Sequence, residues 1–163
     1  MLRASLLLGI GAAAVVAAVV ALFLFPAPVE KVEEKATGLE GYEQTIVTVN
    51  GVSLVTDIAD TSEKKTKGLG VRESMDENEA MIFLFNDEAK HSFWMKGMKF
   101  PIDIIWLDSN KRIVHIEHSL EPCQAQPCKS YVPDKGSLYV LETVAGFAEK
   151  HGLQERMKVE FEL

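Results

Sequence analysis

The chain has 163 residues, of which 17 are Lys or Arg and 24 are Asp or Glu. This length accommodates one domain with an appendage. Residues 26–163 carry a net charge of −8, because Arg3 is the only charged side chain among the first 25 residues and the whole chain carries −7. A body this acidic argues against binding nucleic acid or anionic lipid through a basic patch. The two cysteines exclude a multi-bridge miniprotein and a four-thiolate zinc site.

The N-terminal segment Leu6–Phe25 contains twenty residues without a polar side chain. As a helix rising about 1.5 Å per residue, it would span about 30 Å, which is the thickness of the hydrocarbon core of a bilayer. We therefore predict that residues 1–25 form a transmembrane anchor, with the lipid bilayer as the partner of residues 6–25. A cleaved signal peptide is the alternative. Its apolar region usually spans about 7–15 residues and ends at a small-x-small motif, whereas this segment ends in Phe-Leu-Phe-Pro.

Both interpretations place the body of the protein on the same side of the membrane. Arg3 and the free N-terminus mark the cytoplasmic end, whereas the distal flank at residues 30–34 contains three glutamates. We therefore predict a single-pass protein of the cell membrane with a cytoplasmic N-terminus and an extracytoplasmic C-terminal domain. Residues 26–41 mix Pro, Glu, Lys and Gly and are predicted to form a flexible tether to a globular domain at residues 42–163.

A predicted β-hairpin opens the globular part. Its two runs of β-favouring residues, 45–49 and 52–55, flank Asn50-Gly51, which is a strong two-residue turn signal. A polar, lysine-rich stretch over residues 61–68 follows and favours a short helix, with Thr61 or the next residue as its N-cap.

The rest of the chain alternates between strand-like runs and turn signals. The predicted strands are residues 80–85, 91–96, 102–107, 112–118, 137–142 and 158–162. A second short helix is predicted over residues 145–151 and ends at Gly152. Connections this short favour antiparallel neighbours. We therefore predict a mainly β (α+β) fold, namely a compact antiparallel sheet or partial barrel with two short helices, preceded by the transmembrane helix.

The stretch from Lys65 to Glu162 carries a set of motifs in a specific order. The motifs are Lys67-Gly68-Leu69, Val71-Arg72-Glu73, residues 79–83, Phe93-Trp94-Met95-Lys96, residues 101–106, Val140-Leu141-Glu142 and Ala145-Gly146. In these motifs the chain resembles the uncharacterised family called domain of unknown function 192, although Gly97-Met98 stand where that family usually has Asn-Thr. The resemblance implies a small β-rich fold and frequent export behind a signal or an anchor. It implies no assigned reaction.

Two neighbouring strand-like runs point to a ligand-binding surface. Side chains two apart in a strand share a face, so Trp94 and Lys96 point the same way. If the two runs paired around the turn between them, Asp103 would lie across from Lys96. An aromatic plate beside a cation and a carboxylate suits a small polar ligand or a peptide, and Arg72 and Glu142 are further candidates for the same site. The alternative is a structural ion pair over a core tryptophan, which ordinary packing would explain.

Cys123 and Cys128 are each preceded by proline and are predicted to form a disulfide, which is the default outside the cytoplasm. Closing this six-residue loop would stabilise the fold by about 2 kcal/mol on the loop-entropy model. A redox role would favour a Cys-x-x-Cys motif, and the longer spacing found here argues against it.

Signals for a metal or a nucleophile are weak. His115 and Glu117 share a strand face, but the sequence contains no His-Glu-x-x-His motif and no closely spaced ligand quartet. The methionines with His91 could suit Cu(I), yet core packing is the better account of them. These methionines are Met75, Met81, Met95 and Met98. The sequence also lacks a Gly-x-Ser-x-Gly motif and a Gly-rich phosphate loop, and we predict neither a metal nor a cofactor.

Two functions from different classes remain. We predict a membrane-tethered binding or accessory module that engages a small molecule, an envelope polymer or a membrane protein, and we expect no nucleic acid partner. The alternative is an extracytoplasmic hydrolase or transferase that uses Asp103 and Glu142 in acid–base chemistry. The binding module is favoured because carboxylates with identifiable partners are present, whereas no nucleophile is recognisable.

Overall fold

A computed structural model describes residues 38–163 of the chain. The predicted transmembrane segment at residues 6–25 and most of the predicted tether lie outside these described residues. Within residues 38–163, no helix is both long enough and apolar enough to cross a membrane.

Seven strands form one mixed sheet that curls into a half-barrel. They are β1 (Gln44–Val49), β2 (Val52–Ala59), β3 (Glu79–Ala89), β5 (Ile102–Leu107), β6 (Ile113–Leu120), β8 (Ser137–Val144) and β9 (Val159–Glu160). Their order across the sheet is β6-β5-β8-β3-β2-β1-β9. Two short strands, β4 (Phe93–Trp94) and β7 (Ser130–Tyr131), form a separate antiparallel ribbon. The predicted β-rich class is therefore confirmed, together with two short helices, α1 (Ser62–Lys67) and α2 (Phe147–Lys150).

The β1–β2 hairpin forms as its turn chemistry predicts. Asn50 and Gly51 occupy the turn with φ angles of 48° and 80°. Two successive positive φ angles are what the favoured two-residue turn requires, and Asn-Gly adopts them at low cost. Helix α1 also begins as expected, because the Thr61 side chain accepts a hydrogen bond from the backbone N–H of Lys64 at 3.2 Å.

The prediction of a wholly antiparallel sheet is wrong at one place. Strands β2 and β3 are parallel, with Val55 opposite Glu79 and Ala59 opposite Phe83. Residues 60–78 connect them and contain α1 followed by a 3-10 helix over Gly68–Val71. A parallel pair needs a crossover of about a dozen residues or more, and this connection meets that requirement.

The predicted hairpin between residues 91–96 and 102–107 is also wrong. Strand β5 pairs with β6 on one edge and with β8 on the other, so both of its edges are occupied. All six β5 side chains are buried. The segment before β5 is therefore displaced from the sheet, and only Phe93 and Trp94 form a strand there, which pairs with β7.

Two hydrophobic clusters lie on the two faces of the sheet. Consecutive side chains of β5 alternate between them, with Ile105 in the first cluster and Ile104 and Trp106 in the second. The first cluster contains the helix α2 residues Phe147 and Ala148. The second includes Leu69 of the 3-10 helix and Met95 next to β4. The face of the second cluster is the one that carries the site described below.

The predicted disulfide is confirmed. Cys123 and Cys128 are bonded, with their Cα atoms 5.7 Å apart. The backbone N–H of Cys123 also donates to the carbonyl of Met95 at 3.0 Å. Because β7 follows this loop directly and pairs with β4, the bridge lies at the base of the β4–β7 ribbon.

Packing extends into the region predicted as tether. Leu39 packs against the second cluster together with Tyr42. The backbone N–H of Leu39 donates to the buried carboxylate of Asp57 at 3.2 Å. The contacts of the folded body therefore begin before Tyr42, where the sequence places the boundary.

Candidate functional site

A pocket of about 260 Å³ opens on the second face of the sheet, between α1, the 3-10 helix and the β4 segment. We call it the Glu142 pocket. Its lining residues are Lys65, Thr66, Lys67, Gly68, Leu69, Phe83, Phe85, Ser92, Phe93, Trp94, Lys96, Met98 and Glu142. Two sides come from the crossover and from the β4 segment, and the remainder comes from β3 and β8 of the sheet.

Glu142 is the acidic residue of this pocket, and it lies on a central strand. Its register partners are Met81 of β3 and Ile104 of β5, both apolar. Directly opposed residues share a face, and both partners belong to the second cluster. Glu142 therefore points into an apolar environment and is only 4% exposed. Its Oε2 atom has no hydrogen-bond partner within the described part of the chain.

Burial decides the protonation state of this carboxyl group. Desolvation raises the pKa of Glu142 from 4.5 to about 8, because a charged carboxylate loses its hydration in the pocket and gains no partner there. At neutral pH the side chain is therefore mostly a neutral carboxylic acid. In that form it has one O–H to donate and oxygen lone pairs to accept hydrogen bonds.

Aromatic rings form the apolar wall of the pocket. Phe93 meets the edge of Phe83 with ring centroids 4.9 Å apart and lies 6.3 Å from Phe85. It also packs against the buried ring of Trp106 at 5.9 Å. These edge-to-face contacts hold Phe93 in one orientation, so the wall is shaped before a ligand arrives.

Trp94 and Lys96 lie at the mouth of the pocket. Trp94 is 56% exposed, which contradicts the alternative that it is a core tryptophan; the core residue is Trp106. The ammonium of Lys96 lies 5.6 Å from the centre of the Trp94 ring, within the range of a cation–π contact. Among residues 38–163, no carboxylate lies within ion-pair distance of this ammonium.

Helix α1 contributes two more lysines to the pocket. The ammonium of Lys65 donates to the carbonyl of Leu84 at 2.6 Å and lies 4.9 Å from the centre of the Phe85 ring. Lys67 forms an ion pair with Glu63 at 2.8 Å on the exposed side of the helix. Gly68 follows with φ at 48°, and the chain turns there from α1 into the 3-10 helix in a conformation that would strain a residue with a side chain. A Cβ added at this position would lie 3.5 Å from the Phe83 ring.

The structure brings together three of the five predicted site residues. Trp94, Lys96 and Glu142 all line the Glu142 pocket. Arg72 and Asp103 are not lining residues of this pocket. The predicted position of Asp103 across from Lys96 is wrong, because β4 does not pair with β5.

Asp103 instead holds backbone together on the opposite face of the sheet. Its fully buried carboxylate accepts hydrogen bonds from the backbone N–H groups of Ser119 at 2.7 Å, Gly146 at 3.0 Å and Ala148 at 2.8 Å. These bonds fasten the end of β6 and the start of α2 to β5. Its register partner is Thr143, whereas that of Ile104 is Glu142. The two carboxylates therefore point to opposite faces of the sheet.

Arg72 forms a buried ion-pair cluster. Its guanidinium contacts Asp57 of β2 at 2.6 Å and Glu79 of β3 at 2.9 Å. All three side chains are buried. The cluster joins the end of the 3-10 helix to the two parallel strands, and this position explains why an arginine follows the 3-10 helix.

Several residues of the pocket were not predicted from the sequence. Phe83, Phe85 and Phe93 look like ordinary strand residues, and only the three-dimensional fold shows that they surround a cavity. Lys65 lies in a polar helix whose lysines all look solvent-exposed in the sequence. The sequence offered one signal for this part of the pocket, namely the family motif Lys67-Gly68-Leu69. This motif drew attention to the crossover but did not indicate that the crossover lines a pocket.

Metal ligands do not cluster in the described part of the protein, where no group of three or more His, Cys, Asp or Glu side chains could hold an ion. Met75, Met81 and Met95 are buried in the second cluster, as core methionines are expected to be. The ring of His91 stacks on Phe85 with centroids 3.6 Å apart.

Comparisons with known proteins agree with the resemblance found in the sequence. The family model DUF192, described as an uncharacterized ACR, matches residues 45–161. A UPF0127 protein of Thermococcus sibiricus is 34% identical over 91 residues, which cover 55% of this chain and 54% of that protein. The chain thus spans about half the length of this curated relative. A UPF0127 protein of Pyrococcus abyssi is 30% identical over 107 residues, covering 64% of this chain and 84% of that protein.

A solved structure shares the fold. The crystal structure of a protein of unknown function from Novosphingobium aromaticivorans matches with a TM-score of 0.65 and 30% sequence identity. The match covers 73% of this chain and 84% of that chain.

Proposed function

The chain belongs to the uncharacterised DUF192 family, and we propose that it is a binding module for a small polar ligand that occupies the Glu142 pocket. We further propose that residues 6–25 anchor it in the membrane and that the pocket therefore works outside the cytoplasm. The proposal names no reaction, because its support is a pocket suited to recognition.

The observation that carries the proposal is the unpartnered, buried carboxyl group of Glu142. A buried polar atom without a hydrogen-bond partner destabilises a protein by about 1–3 kcal/mol. Leucine or methionine at this position would continue the apolar face of β8 without that cost. Glu142 is a lining residue of an open pocket, so a ligand that enters can contact the 4% of this residue that stays exposed.

The size of the pocket favours a small ligand. Sites for drug-sized molecules enclose about 300–1,000 Å³, whereas the Glu142 pocket encloses about 260 Å³. A sugar ring, an amino acid or a small organic acid fits this range. An envelope polymer or a membrane protein would place only a terminal group or one side chain in it.

The alternative function, a hydrolase or transferase with two cooperating carboxylates, loses its geometric basis. Asp103 and Glu142 point to opposite faces of the sheet. Asp103 also accepts three backbone hydrogen bonds, which keeps it engaged in the scaffold.

Truncating the exposed tryptophan tests the proposal. We expect Trp94→Ala to weaken ligand binding about two- to tenfold, because an aromatic stacking contact contributes about 0.5–1.5 kcal/mol. The free energy of unfolding should change little, since the side chain is 56% exposed. The measurement is calorimetric titration of the full chain in lipid nanodiscs with a panel of monosaccharides, amino acids and small organic acids.

Ile46→Ala is the matched control, because Ile46 is a comparably exposed hydrophobic residue at 53% and lies on β1, away from the pocket lining. It should bind every ligand as the wild type does. Equal affinities in the Trp94→Ala and Ile46→Ala variants, or a panel in which no compound binds, would contradict the proposed function.

A further inference from the structure

We propose that the ligand of the Glu142 pocket is a small anion with a planar apolar body, of the aromatic carboxylate class, and that it is bound together with the proton on Glu142. This inference rests on the proposed function and goes beyond it by naming the chemical class of the ligand and its proton linkage.

The lining of the pocket is rich in positive charge. Lys65, Lys67 and Lys96 all line the pocket, and Glu142 is the one acidic side chain among its lining residues. The chain as a whole carries −7, so this positive lining is a local reversal of the overall charge. Lys67 shares its charge with Glu63, while Lys65 donates to a neutral carbonyl. The ammonium groups therefore favour a negatively charged ligand.

Glu142 brings a hydrogen-bond donor to the pocket in its neutral form. A neutral carboxylic acid can donate its O–H to the carboxylate of a ligand, and a hydrogen bond to a charged acceptor is short and strong. An ammonium ligand would instead meet the pocket lysines, and its charge would favour the ionised form of Glu142 that burial disfavours.

The aromatic wall of the pocket favours a ligand with a flat, apolar body. Phe83, Phe85 and Phe93 present rings along one wall, and the exposed face of Trp94 stands at the mouth. A flat apolar group can stack on these rings and bury its surface there. A strongly hydroxylated ring would bury polar groups against the same wall, which offers it few hydrogen-bond partners.

The proton linkage has a defined sign. The apolar register partners Met81 and Ile104 flank Glu142 on β3 and β5. The other charged side chains among the lining residues of the pocket are Lys65, Lys67 and Lys96, and Lys67 is paired with Glu63 of the same helix. As the pH rises past the pKa of about 8 for Glu142, the carboxyl group becomes an anion that repels an anionic ligand. Affinity is therefore highest below that pH and falls about tenfold per unit above it.

The test uses three probes of one shape and different charge, namely benzoate, benzamide and benzylamine. Each is titrated calorimetrically into the full chain in lipid nanodiscs, at pH values between ~6 and ~9. We expect benzoate to bind most tightly near pH 6 and to lose about five- to sixfold in affinity between pH ~8 and ~9. Glu142→Gln should abolish this pH dependence, whereas Glu160→Gln, at an exposed position on β9, should retain it.

Each of the other possible results would overturn a specific part of the proposal. Benzamide or benzylamine binding as tightly as benzoate, with loss in Trp94→Ala, would overturn the anionic class and leave the proposed function standing. A pH profile for benzoate that is equally steep in Glu142→Gln would overturn the proton linkage. If the three probes fail while a sugar or an amino acid binds in a Trp94-dependent manner, the aromatic carboxylate class is wrong. If nothing binds in either panel, the proposed function falls as well.

Discussion

Replacing Asp103 with alanine is expected to lower the free energy of unfolding by about 4 kcal/mol or more. The fully buried carboxylate accepts three hydrogen bonds from backbone N–H groups. Hydrogen bonds to charged groups contribute about 1.5–3 kcal/mol each, and removal of the shared acceptor leaves all three donors buried without this partner. Domains of this size have only about 5–15 kcal/mol of stability in total.

The position of these bonds explains why no neighbouring group can replace them. One donor, Ser119, lies at the end of β6, and the other two, Gly146 and Ala148, lie at the start of α2. Without the carboxylate, two segments far apart in sequence lose their common attachment to β5. We therefore expect local unfolding of α2 in addition to the loss of global stability.

Equilibrium urea unfolding of the full chain measures this effect. Asp108→Ala is the matched control, because Asp108 also accepts two backbone hydrogen bonds, from Asn110 and Arg112, but does so in an exposed turn. The control should lose about 1 kcal/mol. Equal losses in the two variants would show that burial of Asp103 adds nothing, and would refute its assignment as a structural anchor.

Glu142→Gln is expected to remove a pH dependence of stability that amounts to about 5 kcal/mol. The folded protein raises the pKa of Glu142 from 4.5 to about 8. Between these two pH values the folded state keeps a proton that the unfolded chain releases. The contribution of Glu142 to the free energy of unfolding is therefore largest below pH 4.5. This contribution falls as the pH rises towards 8, by up to about 1.4 kcal/mol per pH unit.

The glutamine variant has the same shape and carries no titrating proton. Its stability should decline less than that of the wild type between pH ~5 and ~8, and the difference between the two curves isolates Glu142 from the other titrating groups. Asp60, Glu63 and Glu77 have lowered pKa values, because each is bonded to a lysine, and they cancel in that difference.

Urea unfolding at several pH values provides the measurement for this variant. Glu160→Gln serves as the control, since Glu160 is exposed on β9 and its replacement should leave the wild-type pH dependence in place. Parallel curves for the wild type and Glu142→Gln would mean that the buried carboxyl group is charged and compensated in the folded protein.

Local signals in the sequence predicted local structure well. Asn50-Gly51 placed the first hairpin, and the limits of strand 102–107 are the observed ones. Thr61 was one of two candidate helix caps, and it is the observed one. These features depend on backbone preferences of a few adjacent residues, which a single sequence displays directly.

Pairing between distant segments was harder to predict. Whether β4 pairs with β5 depends on whether β6 and β8 already occupy the edges of β5, and no residue near β4 carries that information. The same limit applied to Trp94 and Trp106, because both follow strand-like patterns and only the completed sheet buries one of them. Asp103 was consequently assigned to a surface site although it serves the scaffold.

Only part of the candidate site could be predicted from the sequence, for a related reason. Trp94 and Lys96 were identified from alternation along one strand, and they do lie together at the pocket mouth. Glu142 was a candidate without a stated environment. Its neutral state arises from apolar neighbours on β3 and β5, which are about 40–60 residues away in the sequence.

A neutral carboxylic acid at position 142 in the wall of the pocket is the basis of the proposed ligand recognition. Selective ¹³C labelling of glutamate side chains, with Glu142→Gln to assign the signal, allows the carboxyl resonance of Glu142 to be followed by NMR as the pH changes. We predict a titration midpoint near pH 8, in line with the pKa of about 8 that burial imposes. A midpoint near the ordinary value of 4.5 would contradict the account, because the pocket would then present a carboxylate to its ligand.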